Sequence, residues 1–343
     1  MSSGQWAVGS GQWAMGSEQW AVIDGRKKLQ PRPNMKREIL FDLKSPYRHN
    51  FQIIGYRFGA GAPRAAIVGS LRGDEIQQQY ICSQVVKNLA ELERAGRLEP
   101  RGEILVIPTA NHFSMNVSKR FWAMDNTDIN RMFPGYDKGE TTQRIAAALF
   151  DIVKNYPLGI QLSSFYLQGD LIPHIRVIDT GYQDLAQARE FGLPYVLLRA
   201  PTAFDTTLLN YSWQIFGTNA YSLYSGDTEN INERTARQAW QAILRFLHRN
   251  ELIRYETHDG YVSRVIKEED FHHLTSRRGG MLRRRRFSGD YVNERELLAE
   301  IIDPYDGSTL DEIYAPARGE IFFSHQRPLV SQNTLVYRLV QYS

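Results

Sequence analysis

Cysteine is almost missing from this sequence: Cys82 is the only one in 343 residues. A disulfide framework needs pairs and is excluded, and a cysteine-rich metal site goes with it. Cys82 falls inside a helical pattern and reads as a small buried apolar residue. Long hydrophobic runs are missing too. No stretch approaches the ~18 consecutive apolar residues that cross a bilayer. No charged segment followed by an apolar one opens the chain, so a secretory leader is not expected and cytoplasmic location is. An excess of one charge is absent as well: 41 Lys and Arg stand against 38 Asp and Glu. A net charge of +3 is too small to imply nucleic acid. What remains is ordinary for a globular protein, 42% apolar and 23% charged, at a length that allows a large domain and a small one.

The first residues repeat. Gly4-Gln5-Trp6-Ala7-Val8-Gly9-Ser10 returns as Gly11-Gln12-Trp13-Ala14-Met15-Gly16-Ser17 and decays into Glu18-Gln19-Trp20-Ala21-Val22. Three seven-residue copies are too few and too small for a solenoid. Their Gly and Ser content reads as a flexible tail over 1–36, with three tryptophans that offer a partner something to hold.

From Lys36 the texture is that of an α/β domain. Phe51 to Phe58 reads as a strand and Gly59 to Pro63 as a turn. Ala65-Ala66-Ile67-Val68 is a buried strand that stops at Gly69. Asp74 to about Ala95 is helical, with Ile81, Val85, Leu89 and Leu92 in one stripe and Gly96 as the stop. Ile104 to Pro108 is a further buried strand. Thr141 to Tyr156 and Asn232 to His248 are helices. Strand-like runs recur at Gly159–Leu162, Ile175–Ile178, Tyr195–Leu198 and Ala220–Tyr224. Strands alternating with helices predict a parallel or mixed sheet. Past Arg254 short β-like segments follow one another, with Glu294 to Ile301 the one helical stretch.

The chain is organised around Gly69-Ser70-Leu71-Arg72-Gly73-Asp74-Glu75, a loop between a strand's C-terminal end and a helix. Open α/β sheets place their chemistry there. This loop resembles the zinc loop of the succinylglutamate desuccinylase/aspartoacylase branch of the metallocarboxypeptidase clan. That loop reads His-Gly-x-Glu, and its His and Glu bind zinc. Glu75 is kept; Arg72 stands where the His should be. The string Asp128-Ile129-Asn130-Arg131-Met132-Phe133-Pro134-Gly135 carries the resemblance further. In the clan its Asn-Arg pair grips the substrate carboxylate, which implies that role for Asn130 and Arg131. An upstream Arg polarises the scissile carbonyl, which implies Arg120. A planar guanidinium fork suits a carboxylate, although a structural ion pair is the plainer role for Arg131. The third ligand follows a strand as Asp-Leu-His; here the residues are Gln161-Leu162-Ser163, with Ile172-Pro173-His174 downstream at the family's spacing. The family's catalytic Glu falls at Tyr224, or in a shifted register near Asp227 or Glu229.

The resemblance spans about residues 37 to 343. It implies a carboxypeptidase-like α/β domain over 37–253, a mixed sheet flanked by helices. A small all-β domain over 254–343 follows, similar to the barrel-sandwich of biotinyl and lipoyl carriers. No lysine sits in a carrier-type turn, so that likeness is one of fold. The family positions for zinc are Arg72, Glu75 and Ser163, and a guanidinium cannot coordinate. Without zinc the water is not acidified, and a phenol at Tyr224 keeps its proton at neutral pH. The expectation is therefore a degenerate member with no catalytic residue and no cofactor. Arg72 would pair with Glu75 and, with Arg120, Asn130 and Arg131, hold a carboxylate-bearing small molecule or peptide, or the chain would partner another enzyme. The alternative is an active zinc-dependent deacylase or carboxypeptidase-type amidohydrolase with an altered metal site. A relocated site using His112, His174 and Glu75 or Asp125 is a remoter one.

Arg277-Arg278 and Arg283-Arg284-Arg285-Arg286 put six arginines into ten residues. They read as a charged edge of the β domain or a contact for a protein partner. No stacking platform accompanies them, so neither nucleic acid nor a membrane is expected.

Overall fold

The apolar runs become the strands of a nine-stranded mixed sheet. A computed structural model describes residues 35–45, 49–99 and 102–342, all within one compact unit, Pro33–Ser343. The tryptophan repeats lie outside the described residues. The strands are β1 (Lys36–Leu43), β2 (Phe51–Gly59), β3 (Ala62–Ser70), β4 (Gly102–Thr109) and β5 (Leu158–Ser163). After a short β6 (Gly169–Leu171), which leaves this sheet, come β7 (His174–Ile178), β8 (Tyr195–Arg199), β9 (Asn219–Tyr224) and β10 (Arg264–Ile266). Their order is β1-β2-β4-β3-β5-β9-β7-β8-β10. The centre, β4-β3-β5-β9, is parallel. Ala65 to Val68 are completely buried, because helices cover both faces of a parallel sheet and its strands read as unbroken apolar runs.

The helices are α1 (Ile76–Arg94), a single turn α2 (His112–Met115), α3 (Thr141–Val153), α4 (Leu185–Arg189), α5 (Leu209–Ile215) and α6 (Glu233–Arg249). The α1 stripe is buried as its spacing predicts. Gly96, at φ +66°, ends that helix while Arg97 N–H donates to Leu92 O at 2.9 Å. At α3, Glu140 and Gln143 form a reciprocal capping box. At α6, Asn232 caps the Thr235 N–H.

The C-terminal part is all β. The strands are β11 (Phe271–Thr275), β12 (Gly280–Arg284), β13 (Tyr291–Val292), β14 (Leu297–Ile302), β15 (Thr309–Tyr314), β16 (Gly319–His325), β17 (Leu329–Val330) and β18 (Leu335–Gln341). They form two antiparallel sheets, β11-β18-β16-β13 and β15-β14-β12-β17. The helix expected over Glu294–Ile301 is a correction: the residues form a turn and β14. Arg295 adopts φ +63°, which no helix allows, and Leu298, Ala299 and Ile301 are buried between two partner strands. Strand β6 pairs with β16 and ties the two parts together. Phe165, Leu171, Phe271, Phe322 and Phe323 pack at that joint.

Candidate active site: an arginine-lined cleft

The central loop is held against the segment that follows β4. A side chain on Gly73 would lie 2.2 Å from Lys119 O, and the Gly73 N–H donates to Arg120 O at 2.9 Å. Only a glycine permits that approach. It brings Arg120 to Asp74, Nη1 to Oδ2 at 2.6 Å. Arg120 also reaches Ser164 Oγ at 3.3 Å.

Glu75 is buried at the loop's end with every acceptor position used. Its Oε2 takes the backbone N–H groups of Leu71 (2.9 Å) and Arg72 (3.0 Å). Its Oε1 takes Ser164 Oγ–H at 2.7 Å and Arg72 Nη1 at 3.2 Å. Arg72 is 7% exposed and turns its other edge to Asp128 Oδ2, with Nη2 at 2.9 Å and Nε at 3.1 Å. Burial works against the Arg72 charge, and the Glu75 and Asp128 carboxylates more than offset it, raising the guanidinium pKa above its ordinary value. Asp128 Oδ1 also caps the short 129–131 turn through Asn130 N–H at 3.0 Å. Asn130 Oδ1 takes Gln161 Nε2 (3.2 Å) and Leu209 N–H (3.3 Å), fixing the start of α5. Arg131 donates to Phe204 O.

These residues open onto a cleft of about 810 Å³ at the ends of β3, β5 and β9. Arg72, Arg120, Asn130, Arg131, Ser163 and Tyr224 all line it, with Glu75 behind. Ser163 and Tyr224 are register partners in β5 and β9. Asp227 and Glu229, the alternatives for Tyr224, do not line it. Asp227 instead takes the Glu229 N–H and Asn230 Nδ2. Among the described residues no group of three or more His, Cys, Asp or Glu side chains gathers as a metal site. His112 stacks on Phe51 at 5.1 Å, and Asp125 turns to the Thr127 N–H.

Three further guanidiniums line the cleft, those of Arg176, Arg199 and Arg338, beside Glu268 and His273. Sequence reasoning did not single these out. The signal was there: Arg176 and Arg338 interrupt apolar strands, His174–Ile178 and Leu335–Gln341. Arg72, Arg120, Arg199 and Arg338 each contact a carboxylate: Glu75 and Asp128, Asp74, Asp205 and Glu268 in turn. Arg131 and Arg176 contact none among the described residues. Arg176 lies over the Tyr224 ring at 4.0 Å and reaches its hydroxyl at 3.2 Å.

A family model, the succinylglutamate desuccinylase/aspartoacylase catalytic domain, matches residues 61–249. The chain belongs to this family. It is 28% identical over 158 residues to N-alpha-acetyl-L-2,4-diaminobutyric acid deacetylase of Halomonas elongata, a match covering 43% of this chain and 44% of that one. The match therefore spans less than half of that relative's length. The fold is that of a succinylglutamate desuccinylase/aspartoacylase from Rhodobacter sphaeroides (TM-score 0.72, 19% identity, 89% of this chain and 96% of that). The product-bound ectoine utilization protein EutE from Ruegeria pomeroyi shares it too (TM-score 0.73, 18% identity, 90% and 95%).

Family membership implies zinc, and the donor set here does not fit it. A guanidinium cannot coordinate. Glu75, the one family ligand kept, has its oxygens occupied by four hydrogen bonds. Ser163 is a poor ligand.

His174, the residue at family spacing downstream, is structural. It is fully buried, bonded from Nδ1 to Ile172 O at 2.8 Å, and stacked on Tyr224 at 5.2 Å. Burial, then the charges of Arg176 and Arg338, push its pKa down to about 3. In the unfolded chain it titrates near ~6.5. The unfolded state thus binds the extra proton first, so stability is full above pH ~6.5 and falls as the pH drops towards 3. His174→Gln is expected to flatten that fall by a few kcal/mol, on the order of the shift, read from urea midpoints across the range.

Proposed function

We propose that the cleft binds a carboxylate-bearing small molecule or peptide and does not carry out the family's zinc-dependent hydrolysis. One observation carries this reading: the cation beside Glu75 is the Arg72 guanidinium, bonded at 3.2 Å and paired on its other edge with Asp128. It does the electrostatic work a metal would do for a buried carboxylate, but it cannot activate water. Arg131 and Arg176, which contact no carboxylate among the described residues, are the groups left to take an anion. A guanidinium edge offers two parallel charge-assisted bonds to one. Arg120 is largely satisfied by Asp74 and shapes the wall, while Asn130 is held through Oδ1 and keeps its Nδ2 donor on the cleft.

The second reading, an active hydrolase with an altered metal site, has the family's enzymes in its favour, among them the deacetylase above. Titration calorimetry with hexanoate in the presence of a chelator separates the two. Binding that survives chelation, with no hydrolysis of an N-acyl amino acid, is the expected result. Binding or turnover that disappears on chelation and returns with zinc would establish the hydrolase.

A further inference from the structure

The wall of the cleft built by the C-terminal sheets carries an open acceptor. Glu268 has a side chain 50% exposed, and both of its contacts are made through Oε1, to Arg338 Nη2 and to His273 Nε2. Oε2 has no contact among the described residues. The other carboxylate of the lining, Asp205, is 4% exposed and spent on Arg199 and on the Thr202 N–H and hydroxyl. His273 does not cancel the Glu268 charge. Its Nε2 accepts from Arg338 Nε at 3.2 Å, and a guanidinium only donates, so the ring proton is on Nδ1. Burial and the Arg338 charge lower the His273 pKa and keep the ring neutral.

Arg176 lines the same cleft, without a carboxylate among the described residues and with its Nε unpartnered. Both groups stand near Phe165: Arg176 lies 5.9 Å from its ring centre and Arg338, the partner of Glu268, 5.8 Å. A guanidinium without an anion and a carboxylate oxygen open to a cation therefore line one cleft near the same aromatic ring.

We propose that the ligand is a zwitterion whose carboxylate and ammonium groups are several bonds apart, an ω-amino acid or a short peptide. Arg176 takes the carboxylate and Glu268 Oε2 takes the ammonium, with the apolar body of the ligand against Phe165. A body long enough to lie against the Phe165 ring between the two charges excludes a simple α-amino acid. An acylated amine has no charge to give Glu268. This inference rests on the anion-binding reading above.

The test is calorimetry on the full chain with matched probes: hexanoate against 6-aminohexanoate, and N-acetyldiglycine against diglycine. The amine-bearing member of each pair is expected to bind about 10-fold more tightly, the worth of one charge-assisted bond. Glu268→Gln is expected to bring both ratios close to one. Equal binding within the pairs, or a preference that survives Glu268→Gln, overturns the zwitterion while leaving the anion site in place. If no probe binds the wild type, the anion site itself falls and the zwitterion falls with it.

Discussion

Arg72→Met is expected to lower the unfolding free energy by about 3–5 kcal/mol, seen as a large drop in urea midpoint. The substitution leaves Glu75, 1% exposed, and Asp128 without their shared cation. A buried charge stripped of its partner costs more than the pair contributes, because desolvation is no longer offset. Arg72→Met combined with Glu75→Gln removes the guanidinium and the more deeply buried carboxylate, leaving Asp128 alone unpaired, and Gln can still accept from the backbone amides of residues 71 and 72. The double variant is therefore expected to be more stable than Arg72→Met alone. If the two are equally unstable, the damage is lost packing and not an uncompensated carboxylate.

Arg176→Gln is expected to weaken hexanoate binding by at least about 30-fold, about 2 kcal/mol, the cost of removing one partner of a desolvated ion pair. Arg120→Gln, whose guanidinium is already committed to Asp74 at 2.6 Å, is expected to cost less than about 5-fold on the same scale. The contrast matters because both arginines line the cleft. Stability should respond in the opposite order, since Arg120 forms an ion pair and Arg176 chiefly lies on an aromatic ring. Calorimetry and urea unfolding on the two variants give both orders. A larger binding loss in Arg120→Gln would shift the anion site to the Arg120 side.

Five of the six arginines in the basic run of the β domain have partners within the domain. Arg283 and Arg285 share Glu300, Arg277 meets Asp311, and Arg286 meets Glu296. Arg284 lies over Phe287 at 5.0 Å. Sharing of Glu300 holds its pKa down at about 2. These local contacts balance charge within the β domain itself. Among the described residues no helix is long and apolar enough to cross a membrane.

Much of this was legible in the sequence because it is local. The Ala65–Val68 run, the α1 stripe and the Gly96 stop depend on neighbours within a turn or two. The loop residues Arg72 and Glu75 and the string around Asn130-Arg131 are contiguous, so their meeting in one cleft could be expected from the resemblance. The far wall was not legible. Arg176, Glu268, His273 and Arg338 reach the cleft because β7 runs antiparallel to β9 and β6 joins β16, pairings between distant segments. Arg131, for which the resemblance implies a carboxylate-gripping role, is exposed on the cleft and donates to the Phe204 carbonyl. Glu294–Ile301 has helical composition but is held as a strand by partners on both sides, where tertiary context overrides propensity.

The most direct test of the account is the zinc content of the purified protein, by elemental analysis, with the Arg72→His and Ser163→His double variant beside it. No stoichiometric zinc is expected in the wild type. About one equivalent is expected in the double variant, where metal replaces the guanidinium as the partner of Glu75. Stoichiometric zinc in the wild type would contradict that expectation and return the chain to the hydrolases of its family.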